Sequence, residues 1–337
     1  MNPYTGEFRN PLSNGKVVGA SMDPARYAAT QDAPRGSVGY IMSRSELLSF
    51  NKCPERWVTG VEDEETKSTE WGTLIDGLLL DSGKFKERFA VTPETYESTG
   101  MKCPKCGSVT DSKSCRKCNR DRDPVIIAKP WDWKATVCDE WKQAQGNKQI
   151  VRHKDHEAGL TAIGRLVADG HIRDLIECSQ HQVMVLAEYH DKETGIVIPI
   201  KTLIDGVPNK EHPDFGKVLW DLKTAMAADE WSWKWAVDKH GYHVQAALEL
   251  DAYVAATGED RCDFRHIVQE NFPPYQPARW ALSAEFIELG RLLYVQMLER
   301  YCRCLAASQF PGYQASGDSI QGWGFIAPEA KMMERVT

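Results

Sequence analysis

The sequence lacks any long apolar run. The best one, residues 74–80, is interrupted by Asp76, whereas a helix needs about 20 apolar residues to cross a bilayer. The chain begins with Met1, Asn2 and Pro3 and shows no apolar segment of the kind that directs secretion. We therefore expect a protein of the cytoplasm with no membrane partner.

The chain also lacks an excess of positive charge. It has 41 Lys and Arg against 48 Asp and Glu, a net charge of −7. This balance argues against uniform coating by nucleic acid but leaves room for a local basic groove. Disorder is excluded as the dominant state, because 11 Trp, 11 Tyr and 10 Phe are too many for an unfolded chain. The length of 337 residues fits one large or two ordinary domains.

Composition divides the chain into an arm, a domain and an insertion. Residues 1–38 are rich in Gly, Pro, Ser and Asn and predict a flexible N-terminal arm. Residues 39–337 form the domain, in which 101–123 stand out as an insertion with almost no large apolar residues. β-Branched segments predict strands at 181–189, 196–207 and 217–224. Helical spacing predicts helices at 70–80, 131–145, 156–178, 231–238, 242–257 and 283–307. Helices, then strands, then helices predict an α/β or α+β class with one central sheet flanked by helices.

Four of the ten cysteines form two Cys-x-x-Cys pairs, Cys103 with Cys106 and Cys115 with Cys118. This spacing predicts a structural Zn²⁺ site, since four thiolates leave no open position for catalysis. The alternative is a loop with four free thiols. The basic residues of the insertion either contact a phosphate backbone or simply face solvent, and the sequence does not decide between these.

A second constellation lies in the strand region. Asp205 follows a β-branched run, and Asp221 and Lys223 stand two apart in Trp220-Asp221-Leu222-Lys223-Thr224, so both point from one strand face. Two carboxylates on adjacent strands offer the hard oxygen ligands that Mg²⁺ prefers. A lysine on the same face can orient or deprotonate a water and stabilise charge on a phosphate. Taken alone, Asp-x-Lys is also what a surface salt bridge looks like.

Flanking segments give this pattern a context. The order of segments 43–54, 71–80, Asp205, 221–224 and 241–247 (Gly-Tyr-His-Val-Gln-Ala-Ala) resembles the PD-(D/E)XK nuclease superfamily. Within it, the chain is most similar to the RecE (exonuclease VIII) type of exonuclease from phages and prophages. The resemblance extends from about Tyr40 to about Trp323. It implies a restriction-endonuclease-like core with a central mixed sheet, to which the small zinc ribbon is added.

The resemblance also assigns roles to residues. It implies metal-binding carboxylates at Asp205 and Asp221, a ligand carbonyl at Leu222, a catalytic lysine at Lys223 and a motif glutamine at Gln245. It further suggests substrate contacts by Tyr242, Arg44 and Arg56. Tyr242 could instead be a core aromatic residue, and Gln245 a solvent-facing helix residue.

Two features depart from the family pattern. Relatives usually carry His where this chain has Asp76; Asp keeps an oxygen ligand for Mg²⁺ or Mn²⁺, but it could also be a charge near a helix start with no ligand role. The zinc knuckle is not a standard part of the family. A run of alternating tryptophans, Trp231 to Trp235, could stack on bases or pack a helix onto the sheet.

The resemblance implies a metal-dependent DNA exonuclease that uses two Mg²⁺ or Mn²⁺ ions. Its substrate would be linear double-stranded DNA, degraded 5′ to 3′ from an end to expose single strands for a RecT-like annealing protein in recombination. A homo-oligomer is expected, located in the host cytoplasm if the chain is phage-encoded. The alternatives are an inactive zinc-containing DNA-binding module on a nuclease scaffold, and an endonuclease or single-strand nuclease of the same superfamily.

Overall fold

The computed structural model describes residues 10–31, 33–60, 67–313, 319–320 and 323–324. Residues 1–9 of the predicted arm and the end of the predicted domain from residue 325 lie outside these ranges. The described residues divide into two compact units. The first lies within 1–66, 170–271 and 277–337, and the second is formed by 67–169 and 272–276.

The first unit contains the main sheet and most of the helices. Its strands are β1 (Leu12–Gly19), β9 (Ser179–His190), β10 (Val197–Pro208), β11 (Val218–Ala225), β12 (Asp263–Glu270), β13 (Pro277–Ala281), β14 (Ser319–Ile320) and β15 (Trp323–Gly324). Its helices are α1 (Pro24–Ala29), α2 (Arg44–Lys52), α3 (Pro54–Val58), α8 (Gly170–Glu177), α9 (Glu230–Lys239), α10 (Tyr242–Thr257) and α11 (Ala284–Ala307).

The second unit carries the remaining elements. Its strands are β2 (Phe89–Val91), β3 (Thr95–Lys102), β4 (Val109–Thr110), β5 (Ser114–Cys115), β6 (Arg120–Asp121), β7 (Asp123–Pro130) and β8 (Gln149–Val151). Its helices are α4 (Lys67–Leu79), a 3-10 turn (Ser82–Lys84), α5 (Phe85–Arg88), α6 (Thr136–Ala144) and α7 (His153–Ala168). A small core of Leu74, Phe85, Phe89 and Val151 joins α4 and α5 to the parallel pair β2 and β8.

The main sheet has six strands in the order β1-β9-β10-β11-β12-β13. Its strands pair antiparallel except β11 and β12, which are parallel. Helix α10 lies against the sheet and α11 lies against α10, so that apolar residues of both helices share one core with β9 and β10. The predicted α/β class, with a central mixed sheet flanked by helices, is confirmed.

The predicted arm is not free of regular structure where it is described. Residues 12–19 form the edge strand β1, which pairs antiparallel with β9. Lys201 then fixes the end of α1, because its buried ammonium donates to the carbonyls of Tyr27, Ala28 and Thr30 (3.1, 3.3 and 2.7 Å). This strand was not predicted from the sequence, because Leu12 is its only buried residue and no alternation of apolar and polar residues indicates a strand.

Several predicted boundaries shift in the structure. The three predicted strands correspond to β9, β10 and β11, and the predicted helix 242–257 coincides with α10. The single helix predicted over 156–178 is two helices, α7 and α8, and the one predicted over 131–145 begins only at Thr136. In the part of the chain that the structure describes, every helix falls short of the length and apolarity that crossing a membrane requires.

Candidate active site

A row of polar side chains crosses four adjacent strands on one face of the main sheet. The β9–β10 pairing aligns Gln182 with Asp205, since it pairs Val183 with Ile204 and His181 with Gly206. The β10–β11 pairing of Gly206 with Trp220 places Asp205 across from Asp221, and the parallel β11–β12 pairing aligns Asp221 with His266. Residues aligned across neighbouring strands share a face of the sheet. The two aspartates therefore lie across from each other on one face of the sheet.

Gly206 fixes this register from the opposite face. A Cβ at this position would lie 1.9 Å from Cε2 of the Trp220 indole, which is fully buried and donates from Nε1 to Ser179 Oγ (2.8 Å). Only glycine leaves room for the indole here. The close contact between Gly206 of β10 and the Trp220 side chain of β11 thus fixes which residues of the two strands are paired. It thereby sets the positions of Asp205 and Asp221 on the other face.

Both oxygens of Asp205 accept hydrogen bonds from the protein. Oδ2 accepts from the Leu222 amide (2.8 Å), and Oδ1 accepts from Gln182 Nε2 (2.9 Å). Gln182 is buried and adopts a left-handed backbone conformation (φ 50°), which is uncommon for a residue other than glycine. The sequence analysis missed Gln182, because its relation to Asp205 depends on the strand register.

Lys223 forms an ion pair with Asp221. Burial disfavours its charged form, but the carboxylates of Asp221 and Asp205 outweigh that effect and raise the pKa of Lys223 above its usual range. The side chain is therefore an ammonium at neutral pH. In this arrangement it can donate hydrogen bonds and supply positive charge, but it cannot take a proton from a water.

Helix α10 places two further side chains against Asp221. Gln245 Nε2 donates to Asp221 Oδ1 and to Glu249 Oε1, both at 2.8 Å. Gln245 is thus turned toward the strands, not toward solvent. Glu249 is 4% exposed, and its Oε2 has no hydrogen-bond partner. Burial, together with the nearby Asp221 carboxylate, raises the pKa of Glu249 to about 8.

Glu249 was also missed from the sequence, although a signal exists there. It stands four residues after Gln245, on the same helical face, between Leu248 and Leu250 in the buried part of α10. An acidic residue on a buried helix face requires a polar partner or a function.

Aromatic rings and cations adjoin the carboxylates. The Lys223 ammonium lies 5.1 Å from the centre of the Tyr242 ring, and the Arg44 guanidinium lies 5.6 Å from it. Tyr242 in turn stacks on Trp233 (centroids 5.4 Å apart). Burial lowers the pKa of Arg44, although Tyr242 and Asp221 act against that shift. Tyr242 is therefore half-buried against Trp233 and also lies beside Lys223 and Arg44, and its contact with substrate stays a prediction.

His266 is the most confined of these groups. It is 1% exposed, neither ring nitrogen has a hydrogen-bond partner, and burial lowers its pKa to about 3. The imidazole is consequently neutral at physiological pH. It packs against Trp233 (5.2 Å) and Phe264 (5.4 Å). The sequence carried no sign of this residue's place beside Asp221.

The alternating tryptophans divide between two environments. Trp233 is buried and packs on Tyr242 and His266, as expected for a residue that fixes a helix onto the sheet. Trp231 is 70% exposed and contacts Trp235 edge-on.

Two predicted site residues lie elsewhere in the chain. Asp76 is on α4, in the second unit, so its role as a metal ligand stays a prediction. Arg56 is exposed on α3, and its contact with substrate likewise stays a prediction.

The oxygen-rich composition of the cluster suits a hard divalent cation. Asp205 and Asp221 offer carboxylate oxygens, and the unpartnered Oε2 of Glu249 is a further oxygen that burial leaves unsatisfied. Among the described residues, however, the four insertion cysteines are the one group of three or more Cys, His, Asp or Glu whose ligand atoms lie within 4.8 Å of one another. The fit to Mg²⁺ or Mn²⁺ therefore rests on the chemistry of the donors.

The four cysteines form a second candidate metal centre, at Cys103, Cys106, Cys115 and Cys118. The Sγ atoms of Cys106 and Cys115 are 3.8 Å apart. A tetrahedral zinc site with bonds of about 2.3 Å has edges of about 3.8 Å, so the thiols are spaced for an ion and not for a disulfide. Each Cys-x-x-Cys pair is followed by a residue with positive φ, Gly107 (70°) and Asn119 (50°), which turns the chain back.

Comparison with known proteins adds information about the fold. No family profile matches the chain, and no curated protein matches it in sequence. The structure is similar to that of a candidate exonuclease from Eubacterium rectale, with a TM-score of 0.52, 14% identity, and coverage of 94% of this chain and 98% of that one. An alkaline exonuclease from Laribacter hongkongensis aligns with a TM-score of 0.23 and 15% identity, over 52% of this chain and 84% of that one. Rai1 from Scheffersomyces stipitis aligns with a TM-score of 0.24 and 10% identity, over 71% of this chain and 59% of that one. The first likeness establishes a shared fold; the other two are too weak to support an argument.

Proposed function

We propose that this chain is a metal-dependent deoxyribonuclease. The observation that carries the proposal is the meeting of Asp205, Asp221 and Lys223 on one face of two adjacent strands. Two carboxylates can hold divalent cations that stabilise the attacking and leaving oxygens in phosphodiester hydrolysis, and a lysine beside them adds positive charge. The fold shared with a candidate exonuclease is consistent with this reading.

In this proposal Asp205 and Asp221 hold two Mg²⁺ or Mn²⁺ ions, with the Leu222 carbonyl and Asp76 as further ligands. Such ions supply positive charge that offsets the negative charge developing on the phosphate and on the leaving oxygen. Gln245 holds the Asp221 carboxylate in one orientation by donating to it. Gln182 and the Leu222 amide do the same for Asp205.

Lys223 acts as a fixed ammonium beside the reacting phosphate. It donates to a phosphate oxygen or to the attacking water and so orients the attack. The water oxygen forms a bond to phosphorus in line with the P–O3′ bond that breaks, and the water releases one proton to solvent. The 3′ oxygen leaves and takes a proton from solvent, and the phosphate remains on the 5′ end. Arg44, Tyr242 and Arg56 are proposed to contact the substrate strand.

The finer substrate assignment follows the RecE resemblance. We propose digestion of linear double-stranded DNA from its ends, 5′ to 3′, within a homo-oligomer, with the exposed strand passed to an annealing protein. The Cys₄ site is proposed to hold one structural Zn²⁺, because a closed tetrathiolate has no position for a reacting water.

Digestion of an end-labelled linear duplex tests the mechanism. Wild type should release nucleotides with Mg²⁺ or Mn²⁺, and Lys223→Ala should lose at least about 100-fold in rate, as expected for one group that stabilises transition-state charge. Lys217→Ala is the matched control, because Lys217 precedes the same strand and its ammonium pairs with the exposed Asp260 (2.6 Å). Equal rates for wild type and Lys223→Ala would remove the mechanism. Absence of hydrolysis by wild type would favour the inactive DNA-binding scaffold.

A covalently closed circular duplex tests the need for an end. The linear form of the same duplex should be degraded while the closed circle persists. Cutting of the circle would instead identify an endonuclease.

A further inference from the structure

The four insertion cysteines lie at the far end of a ribbon formed by β3 and β7, where the short strand β4 also pairs with β3. Strands β3 and β7 pair antiparallel from Thr95 with Pro130 to Lys102 with Asp123, over eight residues each, so the ribbon is about 25 Å long. Residues 102–122, which we call the tip, form its far end and contain β4, β5 and β6.

Positive charge is concentrated in the tip. It holds seven Lys and Arg against two Asp, a net charge of +5, whereas the whole chain carries −7. The remaining residues therefore carry −12. A bound zinc with four thiolates would lower the charge of the tip to about +3, which is still opposite in sign to the rest of the chain.

Six of the seven tip cations are exposed to solvent, namely Lys102, Lys105, Lys113, Arg116, Lys117 and Arg120. Within the described ranges, no carboxylate forms an ion pair with any of these six, in contrast to the paired Arg35, Arg261 and Arg291 of the first unit. The seventh, Arg122, has a structural role, because it donates to the carbonyls of Met101 (3.3 Å) and Ser108 (2.8 Å).

The metal and the cations are linked in the sequence. Lys105 lies between Cys103 and Cys106, and Arg116 and Lys117 lie between Cys115 and Cys118. An ion that fixes the four sulfurs therefore also fixes the backbone that carries these three cations. Of the two acidic side chains in the tip, Asp111 is paired with Lys129 of β7 (2.9 Å).

We propose that the tip binds the phosphate backbone of nucleic acid, without base specificity, through cations whose positions a bound zinc holds. The proposal rests on the proposed nuclease function in naming DNA as the ligand. Exposed, unpaired cations opposite in charge to the rest of the molecule attract a polyanion and gain free energy by releasing its counterions. A protein partner with an acidic surface is the competing occupant.

Equilibrium binding to a fluorescent duplex of about 30 base pairs tests the proposal. The variant Lys105→Gln/Arg116→Gln/Lys117→Gln should bind about 10- to 100-fold more weakly than its parent at about 0.1 M salt, since each lost phosphate contact removes about 0.9 from the salt slope. The slope of log affinity against log salt should fall by about 2 to 3. Both proteins carry Lys223→Ala and are assayed without added Mg²⁺, so hydrolysis does not interfere.

The matched control is Lys154→Gln/Lys192→Gln/Lys210→Gln, which removes the same charge from exposed positions outside the tip. Equal loss in both variants, or no loss in the tip variant, would overturn the proposal. Zinc content measured on each protein shows whether the tip is intact. Cys115→Ser should lose both zinc and affinity.

The two proposals can fail separately. Hydrolysis by wild type combined with unchanged binding by the tip variant removes the tip proposal alone. Tip-dependent binding without hydrolysis removes the nuclease proposal alone. If duplex binding does not depend on the tip but an acidic polypeptide such as polyglutamate binds to it, the tip is a protein-docking surface and the nucleic-acid proposal fails.

Discussion

Gln182 has a backbone conformation and a hydrogen bond that can be separated by mutation. Gln182→Ala and Gln182→Gly both remove the donor to Asp205 Oδ1, but only Gly accepts the positive φ of 50° without strain. If Asp205 holds metal as proposed, the Mg²⁺ concentration for half-maximal activity should rise about 10-fold or more in both variants, the usual effect of losing a partner of a metal ligand. The Gly variant should be about 1 kcal/mol more stable than the Ala variant.

Mg²⁺ titration and urea unfolding measure the two effects of the Gln182 variants. An unchanged Mg²⁺ requirement in both would show that Gln182 does not position Asp205.

Glu249 makes stability depend on pH. Its pKa is raised from 4.5 to about 8 in the folded chain, so the folded state keeps a proton that the unfolded state has released. Stability from this group is present in full below about pH 4.5 and is lost as the pH rises through about 8. In Glu249→Gln, which stays neutral, the advantage over wild type should grow from pH 5 to pH 9, measured by urea unfolding without added divalent metal. A constant difference across that range would contradict the raised pKa.

His266 is a polar residue in an apolar setting. Its two ring nitrogens are buried without hydrogen-bond partners, which costs about 1–3 kcal/mol in a folded protein. His266→Phe keeps a ring against Trp233 and Phe264 and removes that cost. We expect the variant to be more stable by about 1 kcal/mol and to lose nuclease activity, because the imidazole is aligned with Asp221. A variant that is both more stable and fully active would show that the histidine does not serve the site.

At the scale of the elements, the pairing of β10 with β11 leaves no room for a side chain at position 206. Gly206→Ala places a Cβ within 1.9 Å of a fully buried indole, so the strands must separate or Trp220 must move. We expect a loss of about 2–3 kcal/mol in the free energy of unfolding, together with loss of activity. Gly19→Ala is the control, since a Cβ on β1 would meet no atom within 4 Å. Equal stability of the two variants would contradict the close contact between Gly206 and the Trp220 indole.

The elements that the sequence predicts best are those with a strong local pattern. Strands β9 to β11 are rich in buried apolar residues, and Asp221 and Lys223 stand two residues apart on one of them. Strand β1 was not predicted, because an edge strand with one buried residue shows no alternation of apolar and polar residues. Gln182, Glu249 and His266 escaped because a buried polar side chain acquires its role from partners distant in sequence.

At the scale of the whole molecule, the reactivity of the ten cysteines tests the proposed zinc site. Six of them are buried, Cys118 and Cys178 are half-buried, and Cys106 and Cys262 are exposed. With zinc bound, a thiol reagent should react with Cys262 and more slowly with Cys178. A strong chelator should release one zinc per chain and raise the count of reactive thiols by four, since metal-held sulfurs are protected. A rise smaller than three would contradict the Cys₄ site.

The base of the ribbon, where Thr95 pairs with Pro130, is suited to the insertion of a segment into the chain. Thr95 and Pro130 are partners across the ribbon, so the ribbon begins and ends at neighbouring points within the second unit. Neighbouring ends allow such a stretch to be inserted without change to the path of the chain on either side. For the same reason we expect that a short turn can replace the stretch.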